Sequence, residues 1–327
     1  MDKLTTVLGE YPHARPLLAG DVTVDGYTVE PVEVNPVIGA YRRMIRDLEF
    51  DVCELAPVSY LMARQEGIPL TAVPVFLNRR FHHGDVQCAW HSGIRVPRDL
   101  EGRRVGVRAY SVSTGVWVRG VLREEYGVDI DKITWVVDDD DHIEGRTPSN
   151  VERVTDGRSL GELLRSGEID AALTGNAGTG RSGAPRAGWT AAAEPGTDDD
   201  AGPYPLFPEA KTLAVDHYLR KGVYPLHSLI AVRSELVERD PGLPTALYAA
   251  FAEAKRLHLA AHPDWSATPR LARQGQRLGG DPVPYGITSN VPSLDAMVRF
   301  SKDQGLLDAD FPSDPRSLFA DGDYPDA

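Results

Sequence analysis

The apolar positions change period several times along the first ninety residues. Residues 4–8 form a short apolar run. Val22, Val24, Val29, Val32 and Val34 then lie in a β-branched stretch punctuated by Asp25-Gly26, a pattern that predicts strands about a hairpin turn. Val37, Ile38, Tyr41, Met44, Ile45 and Leu48 recur at helical spacing, which puts Arg42, Arg43 and Arg46 on the wet face. Residues 50–55 and 70–76 read as buried strands. Strand, helix and strand at these intervals predict a parallel sheet with right-handed crossovers.

A second series follows Pro97. Strands are predicted at 103–108, 133–137 and 169–174, and helices at 114–126 and 160–164. Residues 175–203 lose all periodicity and are rich in Gly, Ala, Pro and Asp, so they read as a flexible surface loop. Helices at 208–219, 243–262 and 293–304 and a strand at 228–232 complete the pattern. The fold class is α/β with two lobes. Lobe 1 is discontinuous, residues 1–85 plus 233–327, and lobe 2, residues 86–232, is inserted into it. Two crossing strands form the hinge. Small molecules bind between lobes of this kind and at the carboxyl ends of parallel strands.

Composition narrows the partners. Of 327 residues, 42% are apolar and 25% charged, which are globular proportions. Lys plus Arg number 35 against 48 Asp plus Glu, a formal charge of −13 that repels phosphate backbones. Arg42-Arg43 and Arg79-Arg80 are too short to make a basic patch, so no nucleic-acid partner is expected. Two cysteines exclude a disulfide scaffold and a four-thiolate zinc site. Cys53, inside an apolar run, reads as a small buried side chain. No stretch approaches the roughly 20 apolar residues of a membrane span, so no membrane partner is expected either. The first residues show no basic n-region, apolar h-region or cleavage site, which leads to an expectation of a cytoplasmic protein. A homo-oligomer is left open.

Several motifs fail on inspection. Residues 178–183 match G-x-G-x-x-G, but Pro185 opposes the helix a dinucleotide site needs. There is no Walker A sequence and no G-x-S-x-G elbow. His258 and His262 stand at i, i+4 without the metalloprotease glutamate between them. The acidic runs 138–141 and 198–200 read as solvated loops.

The ends of the predicted strands are more informative. They collect Tyr11, His13 and Arg15; Glu54, Ser59 and Tyr60; Asn78, Arg79, Arg80, Phe81, His82 and His83; Ser111, Ser113 and Thr114; Asn176; and Tyr224 and His227. Arginine forks match carboxylates, hydroxyls and N–H groups at a helix start favour anions, and aromatic rings flank a flat ligand. This set fits a small planar acid with more than one anionic group. Each residue also has a plainer use: Arg79-Arg80 as solvated or lobe-bridging charges, Ser113 and Thr114 as helix caps.

The run Phe50-Asp51-Val52-Cys53-Glu54-Leu55, the run from Pro74-Val75-Phe76 to Arg79-Arg80-Phe81-His82-His83, and Arg103-Arg104-Val105-Gly106-Val107 resemble the 4,5-dihydroxyphthalate decarboxylase family. So do Trp117-Val118-Arg119-Gly120, Glu125-Tyr126-Gly127-Val128, Leu206-Phe207-Pro208, Gly222-Val223-Tyr224-Pro225-Leu226-His227 and Pro284-Tyr285-Gly286. The resemblance implies a type II periplasmic-binding-protein-like fold with a hinge and an interlobe cleft. It also implies non-oxidative decarboxylation of a hydroxylated aromatic dicarboxylate, such as 4,5-dihydroxyphthalate to protocatechuate.

That chemistry needs a general acid at the ring carbon, an acceptor at the phenol and an anchor for the second carboxylate. His227 or His82 is assigned as the acid, and Glu54 as the phenol acceptor or the group that orients a histidine. Arg79 and Arg80 are assigned to a carboxylate and Ser113 and Thr114 to the spare one. Phe81, Ser59, Arg15 and Asn176 are expected beside the substrate. No cofactor is expected, although a divalent metal on His82, His83 and Glu54 stays open. The rival readings are an importer's solute-binding protein, a non-catalytic sensor of an aromatic acid, and a different lyase on the same scaffold. The last group includes menaquinone-pathway dehydratases and the cysteine-rich thiamin-pyrimidine synthases.

Overall fold

The computed structural model describes residues 2–180 and 202–327. Residues 181–201, most of the loop expected at 175–203, lie outside the described residues. So do the second half of the 178–183 motif and the acidic run 198–200.

The elements in chain order are β1 (Asp2–Val7), α1 (Arg15–Leu18), β2 (Tyr27–Pro31), α2 (Ile38–Asp47), β3 (Val52–Leu55), α3 (Pro57–Gln65) and β4 (Leu70–Val73). Then come β5 (Val86–Cys88), β6 (Arg104–Gly106), α4 (Ser113–Tyr126), β7 (Thr134–Val137), β8 (Val151–Arg153), α5 (Leu160–Ser166), β9 (Ala171–Leu173) and β10 (Tyr204–Pro205). The chain ends with α6 (Ala210–Lys221), β11 (Leu229–Arg233), α7 (Ser234–Arg239), α8 (Leu243–Ala261), α9 (Pro269–Leu278) and α10 (Val291–Asp303).

The chain divides into two compact units. Unit 1 comprises Met1–Arg80, Val215–Arg299 and Leu307–Ala327. Unit 2 comprises Phe81–Ala214 and Phe300–Leu306. The boundaries differ from the expected ones at 85/86 and 232/233. Residues 215–232 return to unit 1 because β11 pairs with β3 and β4.

Unit 1 is built on a five-stranded sheet in the order β2-β1-β3-β11-β4. β1 runs parallel to β2 and β3, whereas β11 runs antiparallel to both of its neighbours. The sheet is therefore mixed rather than parallel throughout. At Asp25-Gly26 a turn forms, with Gly26 at φ +78° and the Tyr27 N–H donating to the Val24 carbonyl. It closes a minimal hairpin, a single antiparallel bridge between Val24 and Tyr27, after which β2 pairs in parallel with β1; Val22, Val24 and Tyr27 are buried in the core. The core joins Val52, Val73, Ile230 and Val232 of the sheet to Leu247, Phe251 and Ala254 of α8. Each large side chain of this kind contributes about 1.5–3 kcal/mol on burial.

Unit 2 holds a six-stranded sheet in the order β10-β5-β9-β6-β7-β8. β6 is parallel to β7 and β9, and β5 is antiparallel to β9. Leu160, Leu163 and Leu164 of α5 pack on Val136, Ile169 and Ala172. Ser159 caps α5 in a capping box with Glu162, and Gly167 in the left-handed region closes it.

Candidate active site

In unit 1 the topology brings chemically active residues to one edge of the sheet. β1 and β3 end at Val7 and Leu55. β11 runs the other way, with Leu229 opposite Leu55 and Ile230 opposite Val73, so its start lies level with the ends of β3 and β4. The residues after β1, within β3, after β4 and before β11 thus converge.

Glu54 is the centre of this edge. Its position in a central strand buries it to 1% exposure. Its Oε1 accepts from the Tyr11 hydroxyl at 2.7 Å and the Tyr41 hydroxyl at 3.2 Å. Its Oε2 accepts from the Gly9 N–H at 2.8 Å, and Ser228 is a further hydrogen-bond partner. Burial pushes the Glu54 carboxyl above its ordinary range, while the hydroxyl and N–H donors pull against that shift. A carboxylate has about four lone-pair sites, and Glu54 meets four donors. The Tyr11 phenol is held up by burial and by the Glu54 charge, so it stays protonated and donates. Gly9 is required by this close approach: a Cβ there would stand 3.0 Å from the Tyr11 ring and 3.1 Å from Glu54 Oε2.

The segment after β4 carries the arginines. The Arg79 side chain turns into the core at 2% exposure. Its Nη1 donates to Asn290 Oδ1 at 2.6 Å, and its Nη2 donates to Ser293 Oγ at 3.0 Å and to the Tyr224 carbonyl. The guanidinium carbon stands 4.6 Å from the centre of the Tyr224 ring. Burial lowers this cation to about 10. Arg79 thus meets neutral protein groups where the sequence reading expected substrate carboxylate.

Arg80 behaves differently. Its Nε donates to His227 Nε2 at 3.2 Å. The His227 N–H donates to the Asn78 carbonyl, and the Asn78 N–H donates to Ser228 Oγ at 3.1 Å. Arg270, from the first turn of α9, donates to Asn78 Oδ1 at 3.2 Å and to the Arg79 carbonyl at 3.1 Å. Glu54, Arg80 and His227 therefore belong to one neighbourhood in unit 1. Ser59 is buried in the first turn of α3, and Arg15 is exposed at the start of α1. Cys53 is fully buried with its thiol pushed up by burial, as its apolar setting predicted.

The remaining expected residues lie in unit 2. His82 pairs its Nδ1 with Asp85 Oδ2 at 2.7 Å, and its side chain is 1% exposed. It lines a cavity of about 10 Å³ with Val118, Val121, Leu122 and Phe207, too small for an aromatic acid. His83 stands edge-on to Phe207, with ring centres 5.9 Å apart. Phe81 is half-buried, and Asn176 is exposed in the short turn after β9. Ser113 and Thr114 are buried in the first turn of α4, whose N-cap, Val112, has no side chain able to cap it. The Trp-Val-Arg-Gly run is interior. Arg119 is 0% exposed, donates to Gln304 Oε1 at 2.6 Å, and lies 3.9 Å from the Tyr110 ring centre. Among the described residues no group of three or more His, Cys, Asp or Glu side chains has the arrangement of a metal site.

Three residues of the unit 1 edge were not chosen from the sequence. Tyr41 reads as an ordinary apolar-face position of α2. Ser228 reads as the start of a strand. Arg270 lies on α9, an amphipathic helix with one buried apolar residue, Leu271, that the sequence reading did not pick out.

Known proteins bear on this arrangement. The chain is 33% identical over 324 residues to a 4,5-dihydroxyphthalate decarboxylase of Comamonas testosteroni, covering 93% of this chain and 92% of that protein. A second relative, from Pseudomonas putida and of the same name, is 33% identical over 180 residues, 52% of this chain and 69% of that protein. A family model described as NMT1/THI5 like matches residues 42–145. The periplasmic aliphatic sulphonate binding protein SsuA of Escherichia coli superposes with a TM-score of 0.51 at 12% identity, covering 98% of both chains, which shows a shared periplasmic-binding-protein-like fold. No helix among the described residues is long and apolar enough to cross a membrane.

Proposed function

This chain belongs to the 4,5-dihydroxyphthalate decarboxylase family, a family of carboxy-lyases, and on that footing we propose that it converts 4,5-dihydroxyphthalate, or a close hydroxylated aromatic dicarboxylate, to the monoacid and carbon dioxide. The observation that carries the reading is the unit 1 strand edge, whose neighbouring strand ends carry a buried carboxylate bonded to a phenol and an imidazole bonded to a guanidinium.

The substrate's own hydroxyl, para to the leaving carboxylate, supplies the electrons. As its proton leaves, the ring carbon bearing the carboxylate accepts a proton. The bond from ring to carboxylate then breaks, its electron pair restores the aromatic ring, and carbon dioxide departs. Because the ring is its own electron source, the step assigns no work to a cofactor.

His227 is the proposed acid. Its Nε2 accepts a hydrogen bond from Arg80 Nε. To deliver a proton it must first gain one at Nε2. An arriving carboxylate would favour this by drawing Arg80 away and placing negative charge beside the ring. Glu54, with its acceptor sites occupied, is proposed to hold the Tyr11 phenol in place rather than to take the substrate proton. Tyr11 is then the group that meets the substrate hydroxyl: as that proton passes to the Tyr11 oxygen, the Tyr11 proton passes to Glu54 Oε1, and both return when the ring regains its hydroxyl. Arg79 is proposed to brace the segment after β4.

The test is incubation with 4,5-dihydroxyphthalate, following protocatechuate and carbon dioxide. Wild type should produce both in equal amounts, and His227→Asn should lose on the order of 100-fold in kcat. His82→Asn should lose stability more than turnover, since it breaks a buried pair with Asp85. Full turnover in His227→Asn would remove the acid assignment. Tight binding of the diacid with no product would turn the reading toward a binding protein or sensor.

A further inference from the structure

We propose that Arg270 is a substrate-binding residue that grips the carboxylate retained in the product. The inference rests on the decarboxylase reading for its substrate and on the geometry of unit 1 for its site.

Arg270 is exposed, and its guanidinium lies over the segment Asn78–Arg80, held by Asn78 Oδ1 and the Arg79 carbonyl. A guanidinium has five N–H bonds, so two hydrogen bonds orient it and leave donors for a ligand. Among the described residues it has no carboxylate partner, and neither has Arg79 beside it. Arg79 is buried among neutral groups, whereas solvent and solutes reach Arg270 and, in part, half-buried Arg80. Its charge acts on the Tyr11 phenol, which places it on the same edge as Glu54.

The backbone supports the placement. Between α8 and α9 the chain turns through Asp264 and Trp265, both left-handed at φ +52° and +60°. Such a conformation is unfavourable for a non-glycine residue and persists only where surroundings enforce it. Trp265 is buried edge-on against His13, with ring centres 5.3 Å apart. Pro269 then opens α9 and puts Arg270 in its first turn. The strained reversal delivers a planar fork, the donor geometry that suits a carboxylate, to the strand edge.

The test uses phthalate and benzoate as probes of diacid and monoacid binding, by calorimetry, together with steady-state kinetics on 4,5-dihydroxyphthalate. In wild type phthalate should bind more tightly than benzoate. Arg270→Ala should weaken phthalate about 10–100-fold, as expected for lost charge-assisted hydrogen bonds. Benzoate, which like the product carries a single carboxylate, should weaken by a similar factor, KM should rise in parallel with the phthalate loss, and kcat should stay within about threefold, the signature of uniform binding. Arg270→Lys should recover part of the phthalate affinity, which a purely structural role would not require. Unchanged phthalate affinity in Arg270→Ala, a phthalate loss that leaves benzoate untouched, or no binding of either probe by wild type would overturn the proposal. A wild type without turnover, but with Arg270-dependent binding of both acids, would remove the decarboxylase reading and leave the carboxylate site standing.

Discussion

At the scale of single residues, the unit 1 edge turns on the saturation of Glu54. A buried carboxylate is costly unless its lone pairs are met, and here Gly9, Tyr11, Tyr41 and Ser228 meet them. Gly9 is the tightest part of the arrangement. A methyl group there must push the Tyr11 ring and Glu54 aside by a few tenths of an ångström. Gly9→Ala is therefore expected to lower kcat about tenfold by misplacing Tyr11, with little change in thermal stability. Glu54→Gln sets an amide NH₂ against the same donors and should cost about 2 kcal/mol or more in stability. Turnover and thermal unfolding of the two variants check both statements. Wild-type kcat in Gly9→Ala would show that the Tyr11 position does not matter to the reaction.

Elements rather than residues decide how unit 2 holds together. α4 opens without a side-chain cap, buries its first ten residues, and closes on left-handed Gly127. Its tight point is Gly120, where a Cβ would stand 2.0 Å from Cδ2 of the Phe300 ring. Phe300 also meets Trp117 edge-on, with ring centres 5.8 Å apart, so it has little room to move. Alanine normally gains about 1 kcal/mol over glycine inside a helix. Overpacking a filled core costs about 1–3 kcal/mol and rises with the overlap, and an overlap this deep lies at the upper end. Gly120→Ala should thus be destabilising, read as a lowered urea midpoint. A variant as stable as wild type would mean that α4 does not press on Phe300. The Trp-Val-Arg-Gly run that marks the family resemblance is accounted for by this packing and by the buried Arg119.

At the scale of the whole molecule, stability should depend on pH through a neutral buried histidine. His13 is 1% exposed, and burial, aided by the nearby Lys255 charge, lowers it to about 3. The unfolded chain takes up a proton near 6.5 and the folded chain does not until about 3. The contribution is therefore fully present above about 6.5 and is lost as pH falls toward 3. His13→Leu should flatten the pH dependence of the unfolding free energy over that window. An unchanged slope in the variant would show that His13 does not set it.

Much of the architecture was legible before any coordinates. Helical spacing located α2, α4, α6, α8 and α10, and apolar runs located β3, β4, β7, β9 and β11, because a buried face must repeat with the period of its element. The chemical character of the site was legible too, since the segments around Glu54, Arg80 and His227 carry the right groups at strand ends. Pairing was not legible: a run such as Leu229–Arg233 looks the same whether its neighbours are parallel or antiparallel. Nor was the fate of each arginine. Arg79 and Arg80 are adjacent in sequence, yet one is consumed by Asn290 and Ser293, more than 200 positions away, and the other reaches His227. Arg270 carried no signal at all, because its role depends on a strained turn bringing α9 back to Asn78. Local periodicity determined the elements of this protein, because burial acts on every turn and every second residue; only the tertiary structure decided which charges are spent on the fold and which face a ligand, because that depends on partners the chain brings from afar.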